Sequence, residues 1–88
     1  MTTADSQNIL ATVADVIRDV LELPELTVHR KTTAADVKGW DSFNHINIVL
    51  AVEAHFGIRF HTTEIEEIRS VGELVDLVRD KLRARMPR

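Results

Sequence analysis

Apolar residues recur at helical spacing in the first part of the chain. Steps of three and four residues place them on one face of an α-helix, and the set is Ile9, Leu10, Val13, Val16, Ile17, Val20 and Leu21. Asp5 or Ser6 can cap the start of this helix, and Pro24 prevents its continuation because proline has no N–H. The pattern predicts a first helix over residues 6–23.

The segment of residues 24–40 has no sustained period, and Gly39 lies near its end. It nevertheless carries four large apolar side chains, which are Leu26, Val28, Val37 and Trp40. Loops of this length are uncommon in small domains unless they are anchored or functional. We therefore expect a long loop that these side chains pin to the helices, with one short turn near residues 33–37.

Three further helices are predicted after this loop. Asp41 and Ser42 are good cap residues before a broad apolar face, and Gly57 supplies an end, which predicts helix two over residues 42–56. Residues 63–66 and 70–73 have the spacing of capping boxes and predict a short helix three over residues 63–68 and helix four over residues 71–85. A strand at residues 58–63 would lack a partner, so we expect a connector. The fold class is all-α, an antiparallel four-helix bundle in a single domain of residues 1–88.

Size and composition narrow the function. A chain of 88 residues and 10.0 kDa forms one small core, which disfavours a deep enzyme pocket. Hydrophobic residues make up 44% and charged residues 28%, as in folded globular proteins rather than disordered or membrane chains. The absence of cysteine excludes disulfides, thiolate zinc sites and a thiol nucleophile. Binding or presentation is favoured over catalysis.

The charge distribution disfavours nucleic-acid binding. The formal net charge is −3, and the only dense cationic run is in the last residues, at Lys81, Arg83, Arg85 and Arg88. Nucleic-acid binders need a basic surface that meets phosphates. Neither a signal peptide nor a membrane-spanning run is present in the sequence, so a cytoplasmic location is expected.

Ser42 is the candidate for chemistry, because a hydroxyl at the start of a helix after a long loop is accessible to a partner. Pattern alone leaves two interpretations open: Ser42 is a modification site, or it is only the helix cap. His45 lies one turn later and is either a solvated surface residue or a contact for a bound group. His29, His55 and His61 form no i, i+4 pair, so no metal site is expected.

Residues 39–58, GWDSFNHINIVLAVEAHFGI, resemble the Asp-Ser-Leu segment and following helix of acyl carrier proteins. The similarity extends over nearly the whole chain, with a long first helix, a long loop, a short third helix and a fourth. The resemblance implies that a phosphopantetheinyl transferase esterifies Ser42 with 4′-phosphopantetheine from coenzyme A. The thiol of this arm then carries an acyl group as a thioester, so the protein is a carrier and not an enzyme. Asp41 beside it either supports attachment, by positioning a metal or a transferase group, or only caps the helix.

The same resemblance implies contacts with other proteins. Phe43, His45, Ile46 and Glu53 of helix two are expected to recognise partners, namely the transferase, an acyl-loading ligase or transferase, and acyl-processing enzymes. Phe43 stands where leucine is commonest in the family, and Asn44, His45 and Asn47 stand where many members have acidic residues. This departure predicts dedicated partners in a specialised acyl or secondary-metabolite pathway. A monomer is expected, since a carrier visits several enzymes.

Other interpretations stay open at this point. A peptidyl or aminoacyl carrier has a similar fold. An unmodified helical adaptor would bind an amphipathic partner helix and use Ser42 only as a cap. A serine enzyme would use Ser42 as nucleophile and His45 as base, although no third orienting residue is evident. The acidic residues Glu64, Glu66 and Glu67 are either a solvated face or part of a docking surface.

Overall fold

The computed structural model describes residues 6–85, which form four α-helices and one short 3-10 helix. The elements are α1 (Ser6–Leu21), a 3-10 helix (Ala34–Asp36), α2 (Ser42–Phe56), α3 (Thr62–Glu67) and α4 (Val71–Arg85). The all-α class, the short third helix and the long loop between α1 and α2 are confirmed. None of the helices within residues 6–85 has both the length and the apolar character needed to cross a membrane.

The core lies where α1 packs against both α2 and α4. Its fully buried side chains come from these three helices, and they are Ile9, Val13, Ile17, Ile48, Val49, Val52, Val71, Leu74, Val75 and Val78. Each such aliphatic side chain stabilises the fold by about 1.5–3 kcal/mol relative to exposure. α3 contributes no fully buried residue, so it is held to the other helices by fewer contacts.

α1 ends two residues before the predicted end at residue 23. Glu22 has a left-handed backbone with φ of 58°, which stops the helix after Leu21. The N–H of Leu23 donates to the carbonyl of Arg18 at 2.9 Å, which closes the helix end. A left-handed glutamate has no sequence signal, because glycine is the usual residue in this conformation.

The long loop is anchored as expected. Val28, Val37 and Trp40 are buried, and Leu26 packs half-buried against the core. The short turn expected near residues 33–37 is the 3-10 helix Ala34–Asp36.

The same loop also holds the start of α4. Its carbonyls at Arg30 and Thr32 accept the N–H groups of Gly72 at 2.8 Å and Val71 at 2.9 Å. A Cβ on Gly72 would lie 3.0 Å from the Arg30 carbonyl oxygen, so glycine permits this close approach. The loop is therefore fixed at one end by α4 and at the other by Trp40.

The caps of α3 and α4 differ from the predicted capping boxes. α3 begins at Thr62, one residue early, because the Glu64 carboxylate accepts the N–H of His61 at 2.8 Å. At α4 the Ser70 hydroxyl accepts the N–H of Glu73 at 3.2 Å, as expected. The Glu73 carboxylate, however, accepts the backbone N–H of Arg69 at 2.8 Å rather than that of Ser70.

Candidate functional site

Ser42 is the first residue of α2 and is exposed. The cap of this helix is its neighbour Asp41, whose Oδ1 accepts the N–H of Asn44 at 2.9 Å. The interpretation of Ser42 as the helix cap is therefore wrong, because Asp41 already holds that position. The capping role of Asp41 is confirmed.

The Ser42 hydroxyl differs from those of the two other serines in the chain. The Ser6 hydroxyl accepts a hydrogen bond from the Arg79 guanidinium at 3.3 Å, and that of Ser70 accepts from the N–H of Glu73 at 3.2 Å. Within residues 6–85, no group forms a hydrogen bond with the hydroxyl of Ser42. Among the serines of residues 6–85, Ser42 is therefore the one whose hydroxyl is free to act as a nucleophile.

Asn44 fixes the turn that leads into Ser42. Gly39 has a left-handed φ of 91°, and its carbonyl accepts from the Asn44 side-chain amide at 2.8 Å. Asn44 thus bonds the loop through both its backbone and its side chain. Asn44 stands where many acyl carrier proteins have an acidic residue that docks on partners. In this chain it instead stabilises the turn before α2.

His45 also bonds inward and joins two elements around Ser42. Its Nδ1 lies 3.2 Å from Trp40 Nε1, and its Nε2 lies 3.3 Å from the Ile65 carbonyl oxygen in α3. The Trp40 and His45 rings are stacked with centroids 6.2 Å apart. His45 is half-buried, which excludes the interpretation as a solvated surface histidine.

These contacts also weigh against a serine enzyme. A catalytic base must accept the proton of the nucleophile within hydrogen-bond reach. Both ring nitrogens of His45 are engaged elsewhere, so His45 is not free to act as the base for Ser42. No group of three His, Cys, Asp or Glu residues that could bind a metal occurs in the part of the chain that the structure describes.

An open groove of about 630 Å³ borders Ser42. Its walls come from the end of the loop, the start of α2, and α3, and its lining residues are Ala34, Trp40, Asp41, Ser42, His45, Ile46, Ile65, Glu66 and Ile68. Its walls combine apolar side chains with a few polar ones. The groove has room for an extended group next to Ser42.

An exposed apolar stripe, consisting of Phe43, Ile46 and Leu50, follows Ser42 along α2. Their exposures are 74%, 46% and 54%, and their spacing places them on one face of the helix. The sequence from Ser42 to Val52 contains no Asp, Glu, Lys or Arg. The surface of α2 that follows Ser42 is therefore apolar rather than charged.

Glu53, predicted to recognise partners, lies near the other end of α2 and is half-buried. Its carboxylate accepts the N–H of Phe60 at 2.7 Å, and its carbonyl accepts from Gly57 and Ile58 at 2.8 and 3.1 Å. Glu53 thus holds the connector after α2. The sequence did not reveal this bond, which spans seven residues.

Of the acidic residues in α3, Glu66 and Glu67 are exposed, whereas Glu64 forms an ion pair with Lys81 of α4 at 2.9 Å. The hydrogen bond from the His61 N–H, followed by that from Lys81, lowers the pKa of Glu64 below its ordinary value of 4.5. Hydrogen bonds to a carboxylate favour its charged form. Glu64 thus joins α3 to α4.

The chain has clear similarity to known proteins. The family profile described as "Phosphopantetheine attachment site" matches residues 11–78. An acyl carrier protein of Petrotoga mobilis is 30% identical over 70 residues, which cover 80% of this chain and 82% of that protein. One of Acidothermus cellulolyticus is 29% identical over 72 residues, covering 82% and 86%. The solution NMR structure of a holo acyl carrier protein from Geobacter metallireducens has a TM-score of 0.81 at 33% identity and covers 86% of this chain and 87% of that one.

Proposed function

The chain belongs to the acyl carrier protein family, which has the phosphopantetheine attachment domain, and from this we propose that Ser42 is the residue to which the arm is attached. The protein is a carrier and not an enzyme. A phosphopantetheinyl transferase modifies it, and it carries acyl groups on the phosphopantetheine arm. When attached, the arm supplies the thiol that the chain itself lacks.

The observation that carries the proposal is the free and exposed hydroxyl of Ser42. Attachment joins its Oγ to the phosphorus of the arm and releases the adenosine bisphosphate part of coenzyme A. The hydroxyl proton passes to a base of the transferase, since both nitrogens of His45 are engaged. The start of a 15-residue helix also stabilises the negative phosphodiester through the helix dipole.

Asp41 has a second role in this proposal. Its carboxylate lies next to the attachment point and is exposed while it caps α2. Because a carboxylate and a phosphodiester are both negatively charged, a cation or a basic group must lie between them to offset their repulsion, and the transferase supplies it. Asp41 therefore supports the attachment step as well as the helix.

The groove beside Ser42 is the surface on which the arm lies between visits to enzymes. Pantetheine is an extended chain with two amides, and the groove combines apolar walls with polar groups at Asp41 and Glu66. This arrangement suits methylene groups, which can lie against the apolar walls, and amide N–H groups, which can donate to the carboxylates. The groove does not decide which acyl group the thiol carries.

Partners meet the apolar stripe of Phe43, Ile46 and Leu50. Any enzyme that reaches Ser42 covers Phe43 and Ile46, because they lie within one turn of it. The absence of acidic side chains here favours dedicated partners with an apolar surface, as in a specialised acyl or secondary-metabolite pathway. Such partners include the transferase, an acyl-loading enzyme and acyl-processing enzymes.

Two of the residues proposed to recognise partners, His45 and Glu53, contribute less to this recognition than the apolar stripe does. His45 is turned inward and shapes the groove, and Glu53 recognises partners only with the part of its side chain left exposed by the bond to Phe60. We also propose that the protein is a cytoplasmic monomer that binds one partner enzyme at a time.

The test is the intact mass of the protein after incubation with coenzyme A, magnesium and a broad-specificity phosphopantetheinyl transferase. We expect a gain of one arm in the wild type and in Ser70→Ala, and none in Ser42→Ala. Ser70→Ala is a matched control, because Ser70 also lies at a helix start. A gain in Ser42→Ala would overturn the site. No gain in folded wild type with more than one transferase would favour the unmodified adaptor.

A further inference from the structure

His45 lies between two groups whose hydrogen-bonding sense is fixed. An indole N–H only donates, and a carbonyl oxygen only accepts. Trp40 Nε1 lies 3.2 Å from His45 Nδ1, and the Ile65 carbonyl oxygen lies 3.3 Å from His45 Nε2. Both bonds form only when Nδ1 is bare and Nε2 carries the proton. The surroundings therefore require neutral His45 in one tautomer.

Protonation of His45 affects the two bonds differently. The Ile65 bond persists, because Nε2 still donates. At Nδ1 the added proton faces the indole N–H of Trp40, and two donors cannot share a hydrogen bond. Trp40 is only 8% exposed, so its N–H would be left without an acceptor, which is unfavourable in a buried place. Protonation therefore breaks the hydrogen bond to Trp40 but not the one to Ile65.

Trp40 is well placed to pass this change to the site. It lies two residues before Ser42 in the chain, it lines the groove beside Ser42, and it anchors the end of the long loop. We propose that the Trp40–His45 pair is a proton-sensitive latch: neutral His45 holds Trp40 in the wall of the groove, and protonated His45 releases it and widens the groove beside Ser42. The latch operates whether or not Ser42 carries an arm.

Charged groups surround His45 from each neighbouring element. Asp41, before α2, and Glu66, from α3, line the same groove as His45, and Arg69, after α3, lines a smaller cavity that His45 also lines. Arginine keeps its charge throughout, and carboxyl groups ordinarily titrate at lower pH than imidazoles. Histidine is the side-chain type whose charge ordinarily changes between about pH 5 and 8. A change within this range is therefore assigned to His45 or to another histidine.

The latch can be observed directly, because Trp40 is the only tryptophan in the chain. In the wild type we expect its fluorescence emission maximum to shift to longer wavelength as ring ¹⁵N resonances show His45 taking up a proton. At neutral pH those resonances should show the Nε2-protonated tautomer. The Nδ1-protonated tautomer, or a fixed emission maximum while His45 titrates, would overturn the proposal. These measurements need no variant.

Variants separate the two nitrogens. In His45→Asn the side-chain oxygen replaces the Nδ1 acceptor and cannot titrate, so the shift should be lost and Trp40 should stay in place. In His45→Gln the amide reaches the Nε2 position instead, so the emission maximum should be red-shifted at every pH. His55→Asn, at an exposed position of the same helix, is the control and should retain the wild-type response. A response that persists in His45→Asn, or that is lost in His55→Asn, would contradict the latch.

Discussion

Asp41 and Asn44 share the hydrogen bond that starts α2, with Asp41 Oδ1 accepting the Asn44 N–H at 2.9 Å. Ser42 lies between them and is left with a free hydroxyl. Capping and attachment are thus divided between two neighbouring residues. An attachment serine that was itself the cap would have to give up its bond to the helix when modified, whereas Ser42 has no such bond to lose.

The first prediction separates the two roles of Asp41. Asp41→Ala should lower the free energy of unfolding by about 1 kcal/mol, because a helix cap is lost. Asp41→Asn should leave stability nearly unchanged, since asparagine caps equally well, but should slow attachment of the arm because the carboxylate is gone. Urea unfolding and time-resolved intact mass measure the two effects. Equal stability losses in the two variants would contradict the capping role.

The second prediction concerns the apolar stripe. Phe43→Ser and Leu50→Ser should change the free energy of unfolding by less than about 0.5 kcal/mol, because both side chains are exposed. They should nevertheless slow modification by the transferase, and this slowing should persist at high salt, because the two side chains carry no charge to screen. Leu23→Ser, at 36% exposure and outside the groove lining, is the control. Wild-type modification rates in Phe43→Ser and Leu50→Ser would contradict docking on the apolar stripe.

The third prediction concerns pH and Glu64. Its pKa is lowered in the folded state, so its contribution to stability is present above the ordinary value of 4.5 and is lost as pH falls through the lowered value. Glu64→Gln should therefore be less stable than wild type at pH 7, and the difference should disappear in acid. Unfolding by urea across this range is the measurement, with exposed Glu67→Gln as control. A difference that does not depend on pH would be inconsistent with the ion pair to Lys81.

The fourth prediction concerns the contact between the loop and α4. Gly72→Ala gains up to about 1 kcal/mol of helix propensity, but its Cβ would overlap the Arg30 carbonyl oxygen, and such overpacking costs about 1–3 kcal/mol. We expect a net loss of about 1 kcal/mol in thermal or urea unfolding. The loss should persist in an Arg30→Ala background, because the obstacle is the backbone oxygen. A stabilised Gly72→Ala would show that the loop can move away.

The caps of α2 are visible in the sequence, because Asp41 and Gly57 are residue types with a local reason to begin and end a helix. The buried anchors of the long loop are visible too, since large apolar side chains in an aperiodic segment need a place to pack. The end of α1 is not visible, because the left-handed Glu22 depends on how the chain turns into the loop. The helix caps and the loop anchors are thus predictable from residue type, whereas the turn at Glu22 that ends α1 is not.

The inward roles of Asn44, His45 and Glu53 could not be predicted for a different reason. Each bonds a group that helical periodicity does not bring near: the Gly39 carbonyl, the Ile65 carbonyl, or the Phe60 N–H. On sequence alone these three polar residues of α2 resemble surface positions. Their roles follow only from the packing of the loop, α3 and the connector against α2.

The most direct test of the central claim is to locate the arm within the modified chain. After modification, proteolysis and fragmentation mass spectrometry should place one phosphopantetheine on Ser42, with Ser6 and Ser70 unmodified. This result is expected because only the Ser42 hydroxyl is exposed and free of hydrogen bonds to residues 6–85. An arm found on either of the other serines, or a folded protein that accepts no arm from several transferases, would contradict the account.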